Sequence, residues 1–258
     1  MSDADIYMPK GLTVGQDVRL VVTCMDWRLD RFIDRDLNDG NTIILRDAGG
    51  SAGTMENTIK QLSIAYNVTA IVMAGHTDCG AMGLVFKAVR EGAVTSPDVE
   101  HALVRPFRGQ IFETRAELES LNPELQAGRI REYADKIGAH ATPMLIDVAT
   151  LDLPKHDGEK RLIITKPTLT HNSRLQQRDT GEGAEHAHYY FIQANSVSDV
   201  LPDIRVAVEA VGVKKILLVA EDREQERQFT NAAIRIKKEP WIGDVPVVLA
   251  KARAKVTG

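Results

Sequence analysis

The sequence predicts a three-layer α/β protein in which a mainly parallel central sheet is flanked by helices. Short apolar runs alternate along the chain with longer stretches of helical period. The runs are rich in valine and isoleucine, which is typical of parallel strands that are buried on both faces. The same order of elements recurs in the second half of the chain, which predicts two related lobes.

Three strands and one helix are predicted near the start of the chain. Apolar runs at residues 18–24, 41–47 and 68–75 indicate the strands. Residues 55–67 have helical period and carry four apolar side chains that fall on one stripe: Met55, Ile59, Leu62 and Tyr66. A helix between neighbouring strands is the connection that parallel pairing requires.

The rest of the first lobe is predicted to be mainly helical. Residues 95–138 are rich in charge, and Pro106 and Pro123 are expected to interrupt the helices. Around residues 153–160 the composition becomes polar and turn-forming, as expected for a connection between units. We therefore predict a first lobe at residues 1–153 and a second lobe at residues 154–258.

An internal repeat predicts the second lobe. The segment RLVVTCMDWR at 19–28 matches RLIITKPTLT at 161–170, and IILRDAGGSAG matches YYFIQANSVSD at 189–199. Residues 59–80 then match 205–225, in the same order and with similar spacing. Two unrelated αβ units of similar size would also look alike, so the shared start of the two copies is what favours duplication.

The composition argues against several classes of function. The 258-residue chain has a net charge of −4, with 43% hydrophobic and 26% charged residues, so no capture of nucleic acid is predicted. No apolar run approaches the ~20 residues that span a bilayer, and the sequence starts without an apolar leader. A cytoplasmic protein without membrane contact is expected. Its only two cysteines are far apart, which favours reduced thiols or metal ligands over a disulfide.

Both cysteines lie at the end of an apolar run. Cys24 is the last residue of the run VVTC. Cys79 comes shortly after the run VMAGH, three residues beyond His76. Ligand groups gather where parallel strands end, and thiolate and imidazole are ligands that zinc prefers. Each motif alone would be a weak signal, but together they predict a metal site formed by Cys24, His76 and Cys79.

Three motifs together resemble the β-class carbonic anhydrases. CMDWRLD, RDAGGSAG and HTDCGAM are similar, in order and spacing, to the family's Cys-x-Asp-x-Arg, Arg-Asn-Ala-Gly and His-x-x-Cys-Gly motifs. The short microbial branch that often reads Cys-Met-Asp-x-Arg-Leu is the most similar, and the match covers residues 18–90. The resemblance implies the family's fold and the zinc-dependent, reversible hydration of CO2 to bicarbonate.

The resemblance also implies roles for individual residues. Cys24, His76 and Cys79 would hold the zinc ion, and Asp26 and Arg28 would be the catalytic pair beside the open position, where a zinc-bound hydroxide attacks CO2. Because Asp26 and Arg28 are two residues apart in a segment expected to be extended, their side chains would lie on the same side of the chain and could form an ion pair. That pair would keep Asp26 off the metal, whereas release of Arg28 would let Asp26 become the fourth ligand. An ordinary surface ion pair is the alternative interpretation.

The RDAGG motif is expected to help bind the substrate. Gly49 and Gly50 suit a tight turn whose N–H groups can hold bicarbonate, and Gly80 would let a helix begin close to the metal. A plain strand-to-helix turn is an equal alternative. The family usually has asparagine where this chain has Asp47, and a carboxylate there would be unfavourable unless Arg46 neutralised it.

The second lobe lacks the chemistry of the first. The three predicted ligands align with residues that cannot form the same metal site: Lys166, Glu221 and Glu224. One zinc site per chain is therefore expected. Because members of the family are dimers with active sites at the interface, the resemblance implies a covalent pseudo-dimer. Such internally paired chains could assemble further into homo-oligomers.

Two other functions remain open. Relatives on the same scaffold hydrolyse CS2 or COS, for which a narrow apolar access path would be expected. A zinc-binding protein without turnover, in a regulatory or assembly role, is the third hypothesis. His171, His186 and His188 also suggest metal binding, but a solvated loop is favoured because no third ligand is placed with them.

Overall fold

Eight strands form a single sheet in the computed structural model, which describes residue 9 and residues 11–153 and 157–250. The strands are β1 (Asp17–Cys24), β2 (Thr42–Asp47), β3 (Asn67–His76), β4 (His140–Ile146), β5 (Lys160–Thr165), β6 (His188–Gln193), β7 (Lys215–Val219) and β8 (Val247–Ala250). They lie in the order β4-β3-β1-β2-β6-β5-β7-β8, and every neighbouring pair is parallel except β2 with β6. The predicted fold class, a three-layer α/β fold with a mainly parallel sheet, is confirmed.

Six α-helices of five or more residues flank this sheet within the described ranges: α1 (Ala52–Ala65), α2 (Gly80–Arg90), α3 (Arg115–Lys136), α4 (Asn172–Gln176), α5 (Leu201–Val206) and α6 (Arg223–Ile236). Further segments of three-residue α-helix, 3₁₀-helix or π-helix lie at Trp27–Leu29, Asp30–Phe32, Ile33–Leu37, Pro97–Val99, Glu100–Val104, Arg105–Phe107, Val148–Thr150, Ala184–His186, Ala207–Val211 and Pro240–Ile242. None of the described helices combines the length and the apolarity needed to cross a membrane.

The first helix buries the predicted apolar stripe. All four stripe residues are at most 3% exposed. The helix begins at Ala52, three residues before the predicted start, and ends at Ala65. The earlier start follows from Asp47, whose carboxylate accepts hydrogen bonds from the Ser51 backbone N–H, over 2.8 Å, and from the Thr54 hydroxyl. These bonds satisfy polar groups of the first turn, as a helix cap does.

The expectation that Pro123 interrupts a helix is wrong. Helix α3 runs from Arg115 to Lys136 and contains Pro123 in its interior. Pro123 packs against β3, where Gly75 leaves room for its ring: a Cβ atom at Gly75 would lie 2.9 Å from Pro123 Cδ. This packing, together with a capping box at Thr114, outweighs the cost of a proline inside a helix.

The two halves of the sheet have the same strand order. From the centre outward, the first half reads β2-β1-β3-β4 and the second reads β6-β5-β7-β8. They meet where β2 and β6 run antiparallel, with Arg46 opposite Gln193. Buried side chains of both halves belong to one hydrophobic cluster, and a smaller cluster covers the opposite face of β5, β6 and β7. Residues 154–156, at the predicted lobe boundary, lie outside the described residues, so the lobe limits stay a prediction.

We expect Gly75→Ala to destabilise the protein by about 1–3 kcal/mol, because the new methyl group would overlap the ring of Pro123. Gly128→Ala is the matched control. Gly128 is an exposed residue of helix α3, which also contains Pro123, and a Cβ atom there would meet no atom within 4 Å. It should stabilise the helix by up to about 1 kcal/mol. Urea unfolding monitored by circular dichroism measures both, and equal free energies of unfolding for the two variants would contradict this packing.

Candidate metal centre

The three predicted ligands lie together at one edge of the sheet. Cys24 is the last residue of β1, His76 is the last residue of β3, and Cys79 immediately precedes α2. Because β1 and β3 pair in parallel, with Thr23 beside Ala74, their carboxyl ends are neighbours. The ligand atoms of the three residues all lie within 4.8 Å of one another, and all three residues are buried.

The spacing of the two sulfurs fits a tetrahedral ion. The Sγ atoms of Cys24 and Cys79 are 3.8 Å apart, and both cysteines are free thiols. Two sulfurs bound at about 2.3 Å to one tetrahedral zinc ion would lie ~3.8 Å apart. In the described parts of the chain, no other group of three histidine, cysteine or acidic side chains is close enough to hold an ion. The Cys-His-Cys cluster could therefore hold a metal ion.

One ring nitrogen of His76, Nε2, has no hydrogen-bond partner among the described residues. Its Nδ1 lies 2.9 Å from the carbonyl oxygen of Thr77, which can only accept, so Nδ1 carries the proton. The other nitrogen, Nε2, is then a lone-pair donor, and it is buried without a hydrogen-bond partner. A buried polar atom without a partner is costly and needs an explanation. A metal ion would satisfy it.

Opposing effects act on the cysteine sulfurs. Contact with Cys79, together with burial, raises the pKa of Cys24 well above its usual value. In the other direction, the neighbouring His76 lowers the pKa of Cys24, and the backbone N–H of Gly49, which donates to Cys24 Sγ over 3.4 Å, also favours the thiolate form of Cys24. A cation between the two sulfurs would resolve this conflict, because metal binding displaces the thiol protons.

Arg28 holds both carboxylate oxygens of Asp26 beside the cluster. Arg28 Nε donates to Oδ1 over 3.0 Å, and Nη2 donates to Oδ2 over 2.7 Å. The pair forms across the helical turn Trp27–Leu29, which Asp26 caps, and not in the extended segment expected from the sequence. Asp26 Oδ2 lies 4.0 Å from His76 Nε2. Burial raises the pKa of Asp26, but the hydrogen bonds from Arg28 and the neighbouring charges outweigh it and bring the pKa below its usual value.

A second carboxylate, that of Asp78, also holds Arg28. Arg28 Nη1 donates to Asp78 Oδ2 over 2.6 Å, and Nη2 donates to the Asp78 carbonyl oxygen over 2.7 Å. Asp78 has a φ of 54°, the one positive φ at a non-glycine residue in the described ranges. Such backbone is uncommon outside glycine, although aspartate tolerates it better than most residues. The loop between His76 and Cys79 therefore adopts a strained shape that anchors Arg28.

Helix α3 braces the same loop. The carboxylate of Glu119 accepts hydrogen bonds from the backbone N–H groups of Asp78, at 2.9 Å, and Cys79, at 2.8 Å. Arg115 donates to Glu119 and to Asp78, and also to the carbonyl oxygen of Cys79. The sequence did not predict either residue, because Arg and Glu four positions apart on a charged helix are typical of a solvated surface.

Arg46 holds the backbone next to the cluster through hydrogen bonds. It is fully buried, and it donates to the carbonyl oxygens of Cys24 and Asp26 at 3.0 and 2.7 Å. Its remaining nitrogen donates to the carboxylate of Asp30 over 2.6 Å. Arg46 thus ties the Cys24–Asp26 segment to its neighbours and does not neutralise Asp47. Burial raises the pKa of Asp47, whose carboxylate caps α1 instead.

The three glycines expected to bind substrate lie around the cluster. Gly49 and Gly50 have φ values of 82° and 71°, a conformation that favours glycine. The N–H group of Gly49 is engaged within the protein, because it donates to the Cys24 sulfur. Gly80 is the exposed first residue of α2. Contact of these glycines with a substrate stays a prediction.

The second lobe places different groups at the equivalent strand ends. Lys166 directly follows β5 and is buried, and its amine donates to the carbonyl oxygen of Asn195. Burial lowers the pKa of Lys166 to about 8. Glu221, two residues after β7, accepts a hydrogen bond from Thr170 over 2.6 Å. An amine and a carboxylate therefore replace a cysteine and a histidine at these positions.

The histidines of the second lobe are dispersed. His188 is the first residue of β6 and is 8% exposed, so the expectation of a solvated loop is wrong for this residue. Its ring stacks on Trp27 with the centroids 3.9 Å apart, which joins the first lobe to the second. His171 lies beside Asp34, and His186 lies beside Glu185.

An open cleft of about 660 Å³ borders Arg28 and is lined by both halves of the chain. The first half contributes Trp27, Arg31 and Asp152, among others. The second half contributes residues of the segment from Ser173 to Tyr189. The cleft is therefore polar and charged along much of its lining, and it reaches the outer side of the Asp26–Arg28 pair.

Comparisons with known proteins give partial structural alignments and no match in sequence. No protein-family model and no curated protein matches this chain. Among solved structures, a carbonic anhydrase from Glaciozyma antarctica aligns at 19% identity over 58% of this chain and 85% of its own, with a TM-score of 0.33. The apo form of a carbon disulfide hydrolase aligns at 19% identity over 57% and 83%, with a TM-score of 0.32. These scores are too low to establish what this chain does; its own residues define an α/β protein with a buried Cys-His-Cys group.

We expect Glu119→Leu to destabilise the protein by about 2 kcal/mol or more, because two backbone N–H groups lose their acceptor. It should also weaken zinc binding by about 10-fold, since groups that orient ligands typically have effects of that size. Thermal unfolding and zinc titration against a chelator measure the two effects. Glu132→Leu is the control on the same helix, because its carboxylate is exposed and pairs only with Lys136. Equal behaviour of both variants would mean that Glu119 does not brace the loop.

Proposed function

We propose that the protein is a zinc-dependent enzyme that catalyses the reversible hydration of CO2 to bicarbonate. The observation that carries this proposal is the buried, unpartnered Nε2 of His76 beside two cysteine sulfurs 3.8 Å apart. Two thiolates and one imidazole favour zinc over hard cations such as magnesium or calcium. The resemblance of the three motifs to those of β-class carbonic anhydrases supports the reaction type.

Asp26 is proposed to orient the reacting water. When bound, zinc would supply a Lewis acid that brings the pKa of a bound water to about 7. The carboxylate of Asp26 lies beside the ligand atoms and is held in its charged form by Arg28. Its Oδ2 would accept a hydrogen bond from the water, which points a lone pair of the water oxygen toward the carbon of CO2.

Arg28 is proposed to keep the fourth coordination position open. Both oxygens of Asp26 accept hydrogen bonds from Arg28, which restrains the carboxylate from joining the ligand set. The bonds from Arg28 to Asp78 fix the guanidinium from its other side. An exposed ion pair would contribute little, but this one is bidentate and its carboxylate is buried.

CO2 is preferred over CS2 as the substrate because the three motifs resemble those of carbonic anhydrases. The cleft that borders Arg28 carries charged side chains, including Asp34 and Asp152, and it is not lined by the three ligands or by Asp26. The intact Asp26–Arg28 pair argues against a zinc protein without turnover.

The two halves are proposed to form a covalent pseudo-dimer with one active site. The identical strand order of the halves supports this proposal, as does the pairing of Arg46 with Gln193, which lie beside Thr23 and Thr165 at equivalent register positions of the two halves. The second half, which carries Lys166 and Glu221 at the equivalent strand ends, would act as the structural partner of the first. Further homo-oligomers and a cytoplasmic location stay predictions.

The function is tested by zinc analysis together with stopped-flow CO2 hydration at neutral and mildly alkaline pH. Wild-type protein should contain one zinc ion per chain and hydrate CO2. His76→Ala should lose both, because it removes one ligand. Asp26→Asn should retain zinc and lose about 100-fold or more in kcat, the range for a group that directs a proton in the reaction.

The control is Asp152→Asn, which changes an exposed carboxylate on the same cleft and should leave hydration unchanged. CS2 hydrolysis is assayed in parallel on the same preparations. If the zinc-loaded wild type hydrates no CO2 but hydrolyses CS2, then CS2 and not CO2 is the substrate. Zinc without either activity would support the non-catalytic alternative, and a protein without bound zinc would refute the metal centre.

A further inference from the structure

Asp203 is a buried carboxyl group that the second lobe places against the first. It lies in α5 and is 2% exposed. Its Oδ1 accepts a hydrogen bond from the backbone N–H of Ala48 over 3.1 Å. Its Oδ2 is buried and has no hydrogen-bond partner. A buried carboxyl with only one oxygen engaged is costly, which points to a role beyond general stability.

Asp203 binds the residue next to one that contacts the Cys-His-Cys cluster. Ala48 is followed by Gly49, whose N–H donates to Cys24 Sγ over 3.4 Å. The two N–H groups are therefore consecutive along one turn, the first bound by the second lobe and the second directed at a proposed zinc ligand. The peptide planes that carry these two N–H groups meet at the Cα atom of Ala48, where steric exclusion confines φ and ψ, so fixing the first plane limits where the Gly49 N–H can point.

The turn is tightly held on its other sides. Asn122 Nδ2 donates to the carbonyl oxygen of Gly49 over 2.7 Å. A Cβ atom at Gly49 would lie only 3.0 Å from Met82 Cε, so the backbone has little room to move toward α2. The contact with Asp203 is the part of this arrangement that comes from the second lobe, and without it the N–H of Ala48 would be buried and unpaired.

We propose that Asp203 is a positioning residue of the metal centre, which holds the Ala48–Gly49 turn so that the Gly49 N–H stays directed at the Cys24 sulfur. This inference rests on the proposed zinc site. A hydrogen bond to a ligating thiolate withdraws charge from sulfur and fixes its direction, so it tunes both the affinity for the metal and the metal's Lewis acidity. The second lobe thereby contributes to a site whose ligands all belong to the first.

The role requires an acceptor at position 203 and not a negative charge. Burial and the nearby carboxylate of Asp47 raise the pKa of Asp203 well above its usual value, which favours the uncharged form. Asp203→Asn keeps an acceptor oxygen at nearly the same size and is therefore the conservative variant. Asp203→Leu keeps the volume and removes the acceptor, and Asp203→Ala serves in its place if the leucine variant does not fold.

The test uses the full-length protein with Zn2+ and with Co2+ as probes. Zinc affinity is measured by competition with a chelator, and the cobalt-substituted protein is examined for its sulfur-to-cobalt charge-transfer absorption. We expect Asp203→Leu to bind zinc about 10-fold more weakly and to shift the charge-transfer band. Asp203→Asn should retain the affinity and the band of the wild type.

Arg205→Ala is the matched control, because it weakens the contact between α5 and the first lobe without removing the bond to Ala48. Arg205 lies in the same helix and donates to Asp98 of the first lobe over 3.1 Å, and the hydrogen bonds described for it go to Asp98 and Glu209, away from the Ala48–Gly49 turn. It should leave zinc affinity and the cobalt band unchanged. An equal effect of Arg205→Ala and Asp203→Leu would overturn the proposal, as would an unchanged band in a folded Asp203→Leu or Asp203→Ala protein.

These outcomes are separate from failure of the proposed function. Wild-type protein that binds no zinc would refute the metal centre itself. Wild type that binds zinc with cobalt–thiolate absorption, together with Asp203 variants that are indistinguishable from it, would refute only the role of Asp203. Neither readout depends on CO2 hydration.

Discussion

The parallel pairing of β1 with β3 is the constraint on which the candidate metal centre depends. Cys24 and His76 are far apart in the sequence, and they become neighbours only because their strands end at the same edge of the sheet. The register between the strands shifts after Val18, which introduces an irregularity before the buried part of the pair. Since a slip of one residue would turn a side chain to the other face, this register determines which groups reach the site. The short loop after His76 then brings Cys79 to the same place.

The site is surrounded by supporting contacts that come from both halves of the chain. Arg46 ties down the segment after Cys24, and Glu119 holds the loop before Cys79. From the second lobe, His188 stacks on Trp27, and Asp203 binds the turn beside Cys24. The chemistry proposed for the first lobe would therefore depend on these contacts from the second lobe, to which none of the proposed ligands belongs. This dependence gives a physical reason for keeping both halves in one chain.

The sequence could predict the sheet and the clustering of Cys24, His76 and Cys79, because these follow from local pattern: apolar runs and the polar residues that come after them. It could not predict Glu119 or Asp203, whose roles depend on contacts with residues far away in the chain. Pro123 misled the prediction of helix α3 because the contact with Gly75, which makes it tolerable, is also long-range. The Asp26–Arg28 pair was predicted for an extended segment, yet the N-cap geometry of a helical turn brings the two side chains together.

X-ray absorption at the zinc edge measures whether Cys24, His76 and Cys79 together bind one zinc ion. Two sulfur neighbours at about 2.3 Å and nitrogen or oxygen neighbours at about 2.0–2.1 Å are expected. Cys79→Ser should leave one sulfur neighbour or abolish binding. A zinc environment that contains no sulfur, or one that is unchanged by Cys79→Ser, would refute a Cys-His-Cys zinc site.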